Sequence, residues 1–175
     1  MSVDPAEAAA NGLGVLARRR IEAEILKPVY EELKAEVGVE LARDFIARAV
    51  RRAAIAAGKT FAQNTPGGTS LESFRDIQAL WTKDGALEVE TLRATSSNYD
   101  FNVRRCRYAE TYAAMGLSEI GGLLSCNRDG AFCEGYDPRI ELTRTQTIMG
   151  GASHCDFRYR ARPGKPEPTA DGDAG

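Results

Sequence analysis

Thiol, carboxylate and guanidinium groups are concentrated in three short stretches of the C-terminal half. The stretches begin at Cys106, Cys126 and Arg144 and have the sequences CRYAE, CNRD and RTQTIMGGASHCDFR. Thiolates serve as nucleophiles, carboxylates transfer protons, and arginines bind carboxylates through paired hydrogen bonds. We therefore expect an enzyme site here that handles a small carboxylate-bearing molecule.

Cys126 is the first candidate for a catalytic nucleophile. It lies where a helix should begin, and the free backbone amides and the positive end of the helix dipole favour a thiolate there. Cys106 is a second candidate, because it joins a predicted strand to a predicted helix and Glu110 follows one helical turn later on the same face. The alternative is a structural role, since free cysteines are among the most buried residues.

Two carboxylates and one imidazole could move protons at such a site. Asp129 and Glu110 are the candidates for general acid or base work, with surface ion pairs as the alternative. His154 is the only histidine, so any cysteine–histidine mechanism must use it. In a strand, however, His154 and the third candidate thiol, Cys155, would point to opposite faces and would not form a dyad. A solvated or supporting histidine is as compatible with the sequence as a catalytic one.

Three arginines, Arg107, Arg128 and Arg144, are predicted to bind the substrate carboxylate, although ion pairs with neighbouring acidic residues would use the same side chains. The four cysteines are widely spaced and include no C-x-x-C pair. The sequence therefore gives only a weak signal for a metal site; it predicts no cofactor and leaves open whether the protein depends on a metal.

The elements that carry these residues begin with helices. From Val15 to Ala62 apolar residues recur with helical spacing, and Gly38 divides this run into a helical hairpin. Pro28 should bend or interrupt the first helix, because proline removes a backbone donor. After a loop at 64–69, Ser70 should begin a further short helix.

Strand alternation predicts two β-hairpins farther along the chain. Residues 86–95 and 98–105 form the first hairpin, which should have one solvent-exposed face. Residues 139–148 and 153–160 form the second, around a Gly-Gly turn. The predicted fold class is α+β, with N-terminal helices packed on a four-stranded, mainly antiparallel sheet and short helices inserted between the two hairpins.

Composition limits the class of protein and its partners. The 175 residues, 43% of them hydrophobic, suffice for one core, so we expect a single domain over 1–160 and a disordered tail over 161–175, which is rich in proline, glycine and charge. The balance of 23 basic against 25 acidic residues argues against nucleic-acid or anionic-membrane partners. With no leader and no membrane span, the protein is expected to be cytoplasmic, with a small molecule as its partner and a homo-oligomer left open.

Three segments closely resemble the L-2-amino-thiazoline-4-carboxylic acid hydrolase family of small bacterial enzymes. They are CRYAE from Cys106, LSCNRD ending at Asp129 and LTRTQTIMGGASHCDFRY ending at Tyr159. The resemblance implies that Cys126 and Cys155, like Cys106, occupy motif positions. It implies no function for Cys133, which stands where the family pattern has an apolar residue.

The family's namesake converts a 2-amino-thiazoline ring to an N-carbamoyl cysteine. The resemblance thus implies a hydrolase that opens a small cyclic amidine, imide or ureide by cysteine-assisted attack on the ring carbon, with cleavage of a C–N bond. A more distant resemblance, around the sequence HCDF that begins at His154, is to 4-vinyl reductase-type ligand-binding domains, which enclose small molecules. The alternative function is therefore a non-catalytic small-molecule-binding or sensor domain.

Overall fold

The computed structural model describes residues 13–162. The α-helices are α1 (Val15–Val37), α2 (Val39–Gln63), α3 (Leu71–Ile77), α4 (Ala79–Thr82), α5 (Arg107–Ala114), α6 (Gly121–Leu124) and α7 (Cys126–Tyr136). The strands are β1 (Leu87–Ala94), β2 (Asn98–Cys106), β3 (Ile140–Thr143) and β4 (Cys155–Ala161), with single 3₁₀ turns at Lys83–Gly85 and Ile148–Gly150. Apart from its first two residues, the predicted tail at 161–175 lies outside the described residues.

The four strands form one antiparallel sheet in the order β1-β2-β4-β3. The two predicted hairpins are its outer pairs, and β2 and β4 join them at the centre, with Val103 opposite Cys155 and Tyr99 opposite Tyr159. Helices α5, α6 and α7 connect the hairpins. The predicted α+β class, the four-stranded antiparallel sheet and the inserted short helices are therefore confirmed.

The helical hairpin forms as predicted, with Gly38 at a φ of 84° between α1 and α2. Helix α1 continues through Pro28, so the predicted interruption is wrong. One lost backbone hydrogen bond is outweighed by packing, because Ala23 and Tyr30 on the inner face are almost fully buried. The apolar residues spaced by four on the same helix, Ile21, Ile25 and Val29, instead remain exposed.

The short helix α3 begins at Ser70 through a reciprocal cap. Ser70 Oγ accepts from the backbone amide of Ser73 at 3.1 Å, and Ser73 Oγ accepts from the amide of Ser70 at 2.9 Å. Two amides that the first helical turn cannot pair are satisfied in this way. The cap fixes the direction in which α3, and then α4 with Trp81, leave the loop.

The polar face of β2 was predicted to be solvent-exposed, and Arg104 at its end is exposed, but the middle of this face is buried. Asp100 is only 8% exposed and Asn102 only 7%. Arg160 of the neighbouring strand pairs with Asp100, and Arg158 Nη2 donates to Asn102 Oδ1 at 3.0 Å. Because β2 is a central strand, the arginines of β4 cover its polar side chains.

The second hairpin has a shorter strand and a longer connection than predicted. Strand β3 ends at Thr143, and residues 144–154 leave the sheet. The carboxylate of Asp156 accepts from the amides of Thr145 and Gln146 at 3.0 and 2.8 Å. These bonds replace the strand pairing that the alternating sequence suggested, so the Gly-Gly pair does not form a tight hairpin turn.

Helices α2 and α7 cross at closest approach through two glycines. A Cβ atom at Gly58 would collide with the carbonyl oxygen of Phe132, and one at Gly135 would collide with the carbonyl oxygen of Ile55. The backbones therefore touch, which only glycine permits. This crossing holds the C-terminal half of α7 against α2.

Candidate functional site

A cavity of about 580 Å³ lies between the helices and the inner face of the sheet. Helices α1, α2, α4 and α7 form its walls, and Phe101, Phe157 and Tyr159 of the central strands form its floor. Three arginines and one lysine line it, against one glutamate and one aspartate. Its volume is in the range of small-molecule pockets, and its lining is mainly apolar with a few converging charges.

The cationic part of the cavity combines α1 with the first turn of α7. Arg128 Nη2 donates to Glu22 at 3.0 Å, and Arg19 Nη1 donates to the same carboxylate at 2.7 Å. Each guanidinium side chain is only 13% exposed. Burial, and then the neighbouring charge of Arg19, lower the pKa of Arg128 to about 10. Two buried cations that share one anion would bind a second anion favourably.

Asp129 lies beside this group, and its side chain is 23% exposed, towards the cavity that it lines. Arg144 Nη1 donates to its carboxylate at 2.5 Å, while Arg144 Nη2 donates to the carbonyl of Cys126 at 3.0 Å. The guanidinium also stacks 4.9 Å from the ring centre of Phe157. Burial raises the pKa of Asp129, and this loss of hydration outweighs the opposing effect of Arg144.

Aromatic rings form the apolar part of the cavity. Trp81 and Phe132 are 5.3 Å apart at 78°, and Phe61 and Phe132 are 5.5 Å apart at 67°, both in edge-to-face geometry. Phe74 joins them at 6.3 Å from Phe132. These rings come from α2, α3, α4 and α7, so the apolar part exists only when the four helices are packed together.

The three cysteines at family-motif positions, Cys106, Cys126 and Cys155, do not line the cavity. Cys126 begins α7 as predicted, yet burial, and then the charge of Asp129, raise its pKa to about 12. Burial also raises the pKa of Cys106 to about 11 and that of Cys155, whose Sγ accepts from the amide of Ile148 at 3.2 Å. The expected stabilisation of a Cys126 thiolate is therefore wrong, because lost hydration outweighs the helix dipole.

Glu110 and Arg107 are not brought to the cavity. Glu110 is exposed and accepts from Arg105 Nε at 2.7 Å, a hydrogen bond that lowers the pKa of its carboxyl group. Arg107 Nη1 donates to the carbonyl of Asp84 at 2.9 Å, where it supports the 3₁₀ turn. Both side chains are exposed, and no residue between 102 and 127 lines the cavity.

His154 lies outside the cavity lining as well. Its Nδ1 is 3.1 Å from Gln146 Nε2 and 3.0 Å from Ser153 Oγ. Cys155 is buried and its Sγ accepts from the amide of Ile148, whereas His154 is half-buried just before β4 and contacts Gln146 and Ser153. Across residues 13–162, no cluster of three or more histidine, cysteine, aspartate or glutamate side chains could hold a metal ion.

Sequence reasoning missed the contribution of the N-terminal helices. Arg19 and Glu22 complete the charged part, and Phe61 and Trp81 form the apolar part. The only sequence signal was the run Arg18-Arg19-Arg20 within an otherwise amphipathic helix, followed closely by Glu22. No helix in the described chain is long and apolar enough to cross a bilayer.

A search of curated proteins gave no match. Among solved structures, the phenol-responsive sensory domain of the transcription activator PoxR, bound to phenol, has a TM-score of 0.52 at 14% identity, over 78% of this chain and 73% of that one. A trafficking protein particle complex subunit 3 from Naegleria fowleri, covalently bound to palmitic acid, has a TM-score of 0.47 at 11% identity, over 83% and 96%.

The sensory domain supports the same fold, which is consistent with the predicted similarity to 4-vinyl reductase-type ligand-binding domains. One family model matches this chain over nearly all of the helices and the sheet and over every charged residue that lines the cavity. The matching model, described as L-2-amino-thiazoline-4-carboxylic acid hydrolase, spans residues 18–159. The chain therefore belongs to the L-2-amino-thiazoline-4-carboxylic acid hydrolase family.

Proposed function

We propose that the protein is a hydrolase that opens a small cyclic amidine, imide or ureide bearing a carboxylate, such as a 2-amino-thiazoline carboxylate. The observation that carries this proposal is Asp129, a carboxylate with a raised pKa on the wall of the cavity and beside buried arginines. The family to which the chain belongs supports the reaction class. A raised carboxyl pKa is typical of residues that exchange protons with substrate or water.

The substrate carboxylate would bind Arg128 and Arg19. Both guanidinium groups are buried and share Glu22 as their common partner. A carboxylate placed between them would supply the second negative charge and relieve their mutual repulsion. This arrangement would direct the substrate ring towards Asp129, which follows Arg128 on the same turn of α7.

Asp129 would act as the general base. Its carboxylate takes a proton from water while the water oxygen bonds to the amidine carbon, and Arg144 holds the carboxylate in position. In a thiazoline the π electron pair of the ring C=N bond moves to nitrogen as the C–O bond forms, and the remaining hydroxyl proton passes to that nitrogen as the C=O bond forms. The electron pair of the C–S bond then leaves with sulfur, which takes the proton from Asp129. An N-carbamoyl product retains both C–N bonds, so the C–N cleavage expected from the sequence applies only to imides and ureides, where nitrogen accepts that proton.

This route uses water in place of a cysteine nucleophile. A thiol with a pKa near 11 or 12 is almost entirely protonated at neutral pH, and neither Cys106 nor Cys126 lines the cavity. The cysteine-assisted mechanism remains the competing hypothesis. Replacing Cys106, Cys126 and Cys155 one at a time with alanine separates the two. Turnover persists in all three variants by the water route and is lost in one of them by the thiol route.

The decisive experiment incubates the protein with 2-amino-thiazoline-4-carboxylate and with carboxylate-bearing hydantoins, and follows the mass gain of one water. The Asp129→Asn variant should lose turnover by about a hundredfold or more. Asp44→Asn is the matched control, because Asp44 pairs with Arg48 on the exposed surface of α2. Unchanged turnover in Asp129→Asn would reject the proposed base.

A second candidate function is ligand binding without catalysis. The mainly apolar lining of the cavity favours it, because a binding domain needs few ionisable groups. The PoxR sensory domain, which shares the fold, is described as phenol-responsive. Binding of the same compounds with no gain of water in any of them would support this function and reject the hydrolase.

A further inference from the structure

We propose that the natural substrate carries an aryl substituent in addition to its carboxylate-bearing ring, and that the rings of Phe61, Trp81 and Phe132 hold this substituent. The inference rests on the proposed function and specifies the substrate class of the same cavity. It depends on the size of the cavity, the separation of its charged and apolar parts, and the geometry of the three rings.

The cavity is larger than a single small ring requires. Its volume of about 580 Å³ lies within the range of about 300–1,000 Å³ that accommodates drug-sized ligands. A five-membered ring with one amino and one carboxylate group fills only a small part of that space. A ligand that excludes water from the site must therefore extend beyond the ring.

The charged and apolar parts adjoin along one face of α7. Arg128 and Phe132 are four residues apart, and Asp129 and Phe132 are three apart, so all three project into the cavity within one helical turn. A ring whose carboxylate binds Arg128 thus has its far side about 6 Å along the helix, next to Phe132. A substituent on that side enters the aromatic part directly.

The geometry of the aromatic part favours a ring over a flexible chain. Trp81 and Phe61 each approach Phe132 edge to face, so the three rings present both faces and edges to the cavity. Aromatic pairs prefer offset or edge-to-face contacts with centroids about 4.5–7 Å apart, which an aryl group could complete. Small side chains of α2, including Ala53 and Ala57, leave room beside them.

Calorimetric titration tests the inference with three compounds: 2-amino-thiazoline-4-carboxylate, its 5-phenyl derivative and its 5-hexyl derivative. Burial of an aryl group should lower the Kd of the phenyl compound about tenfold to a hundredfold below that of the parent. The hexyl compound should bind less tightly than the phenyl compound. A phenyl compound no tighter than the parent, or a hexyl compound equally tight, would overturn the inference.

Two variants locate the gain in affinity. Ala57→Leu fills space beside the rings and should remove the phenyl advantage while leaving the Kd of the parent unchanged, whereas Ala49→Leu, on the exposed face of the same helix, should change neither. Trp81→Leu should reduce the phenyl advantage in the same way. If both cavity variants retain the full advantage, the aryl group binds elsewhere and the inference is wrong.

Turnover, measured separately on the same compounds, keeps the two proposals distinct. Gain of water in the parent and phenyl compounds with equal Kd values would support the hydrolase and reject the aryl group. A strong, Ala57-dependent preference for phenyl without any gain of water would support the aryl site and reject the hydrolase.

Discussion

The pKa values of Asp129 and Arg144 are both raised, but for different reasons. The ion pair raises the pKa of Arg144 against the effect of its burial, so the arginine stays charged. The same burial raises the pKa of Asp129 despite the arginine. A carboxylate held in place but poorly hydrated binds a proton more readily than a surface aspartate, which suits a general base.

The pH dependence of kcat/KM should follow Asp129. The deprotonated carboxylate is the active form, so activity should fall as pH drops through a pKa above the ordinary value of about 3.9. Activity should be level around neutral pH and fall again as pH rises through the pKa of Arg128, about 10, because the charged arginine binds the substrate carboxylate. A thiolate mechanism would instead keep rising towards the pKa of Cys106 or Cys126, near 11 to 12. A pH–rate profile of the wild type decides between the two shapes.

Replacement of Arg128 should weaken binding more than chemistry. Arg128→Gln removes one of the two cations that would bind the substrate carboxylate, so KM should rise about tenfold to a hundredfold. Binding of 2-amino-thiazoline, which lacks the carboxylate, should change little. The exposed Arg51→Gln, which removes an ion pair with Glu134, is the control. Equal loss of affinity for both compounds would mean that Arg128 has only a structural role.

At the scale of elements, the crossing of α2 and α7 sets the position of the site. Arg128 and Asp129 lie on the first turn of α7, and that helix is held by the direct backbone contact at Gly58 and Gly135. A change of a few tenths of an ångström at the crossing would move both charged groups relative to α1. Packing at this point therefore affects both stability and geometry.

Two glycine substitutions separate this contact from the general effect of glycine in a helix. Gly58→Ala should lower the free energy of unfolding by about 1–3 kcal/mol, because its Cβ collides with the carbonyl oxygen of Phe132. Gly130→Ala, in α7, meets no atom within 4 Å and should raise it by about 0.5–1 kcal/mol. Urea unfolding measures both, and destabilisation by Gly130→Ala comparable with that of Gly58→Ala would contradict the argument.

Sequence signals predicted those features of the helices and strands that depend on neighbouring residues better than those that depend on distant contacts. The cap at Ser70, the break at Gly38 and the first hairpin depend on neighbouring residues, and all three are found. The end of β3 was missed because it depends on the carboxylate of Asp156, more than ten residues later. The buried face of α1 is set by packing against other helices, and Ile21, Ile25 and Val29 remain exposed although they recur with helical spacing.

The candidate site was predicted in part for the same reason. Asp129, Arg128 and Arg144 were identified because the motifs that contain them are contiguous in the chain. Glu22, the partner of Arg128, was not, since it lies more than a hundred residues away in sequence. The thiol pKa values were misjudged because the helix dipole can be inferred from sequence, whereas the extent of burial cannot.

At the scale of the whole molecule, the cavity joins the two halves of the chain. Helices α1, α2 and α4 precede the sheet in sequence, α7 follows its first hairpin, and each contributes side chains to the same space. A ligand in that space contacts elements that otherwise meet only through their own packing. Binding should therefore stabilise the fold as one unit, since the ligand has no comparable site in the unfolded chain.

Trp81 makes this coupling measurable, because it is the only tryptophan and lines the cavity. A ligand at one hundred times its Kd should add about 2.7 kcal/mol to the free energy of unfolding, which corresponds to a rise of roughly 5–10 °C in Tm for a chain of this size. Tryptophan fluorescence should titrate with the same Kd as the calorimetric signal. Since Ala57→Leu narrows the cavity beside Trp81, it should weaken the fluorescence response to the 5-phenyl compound and its Tm shift together. A Tm shift that persists without any change in tryptophan fluorescence would place the ligand outside this cavity.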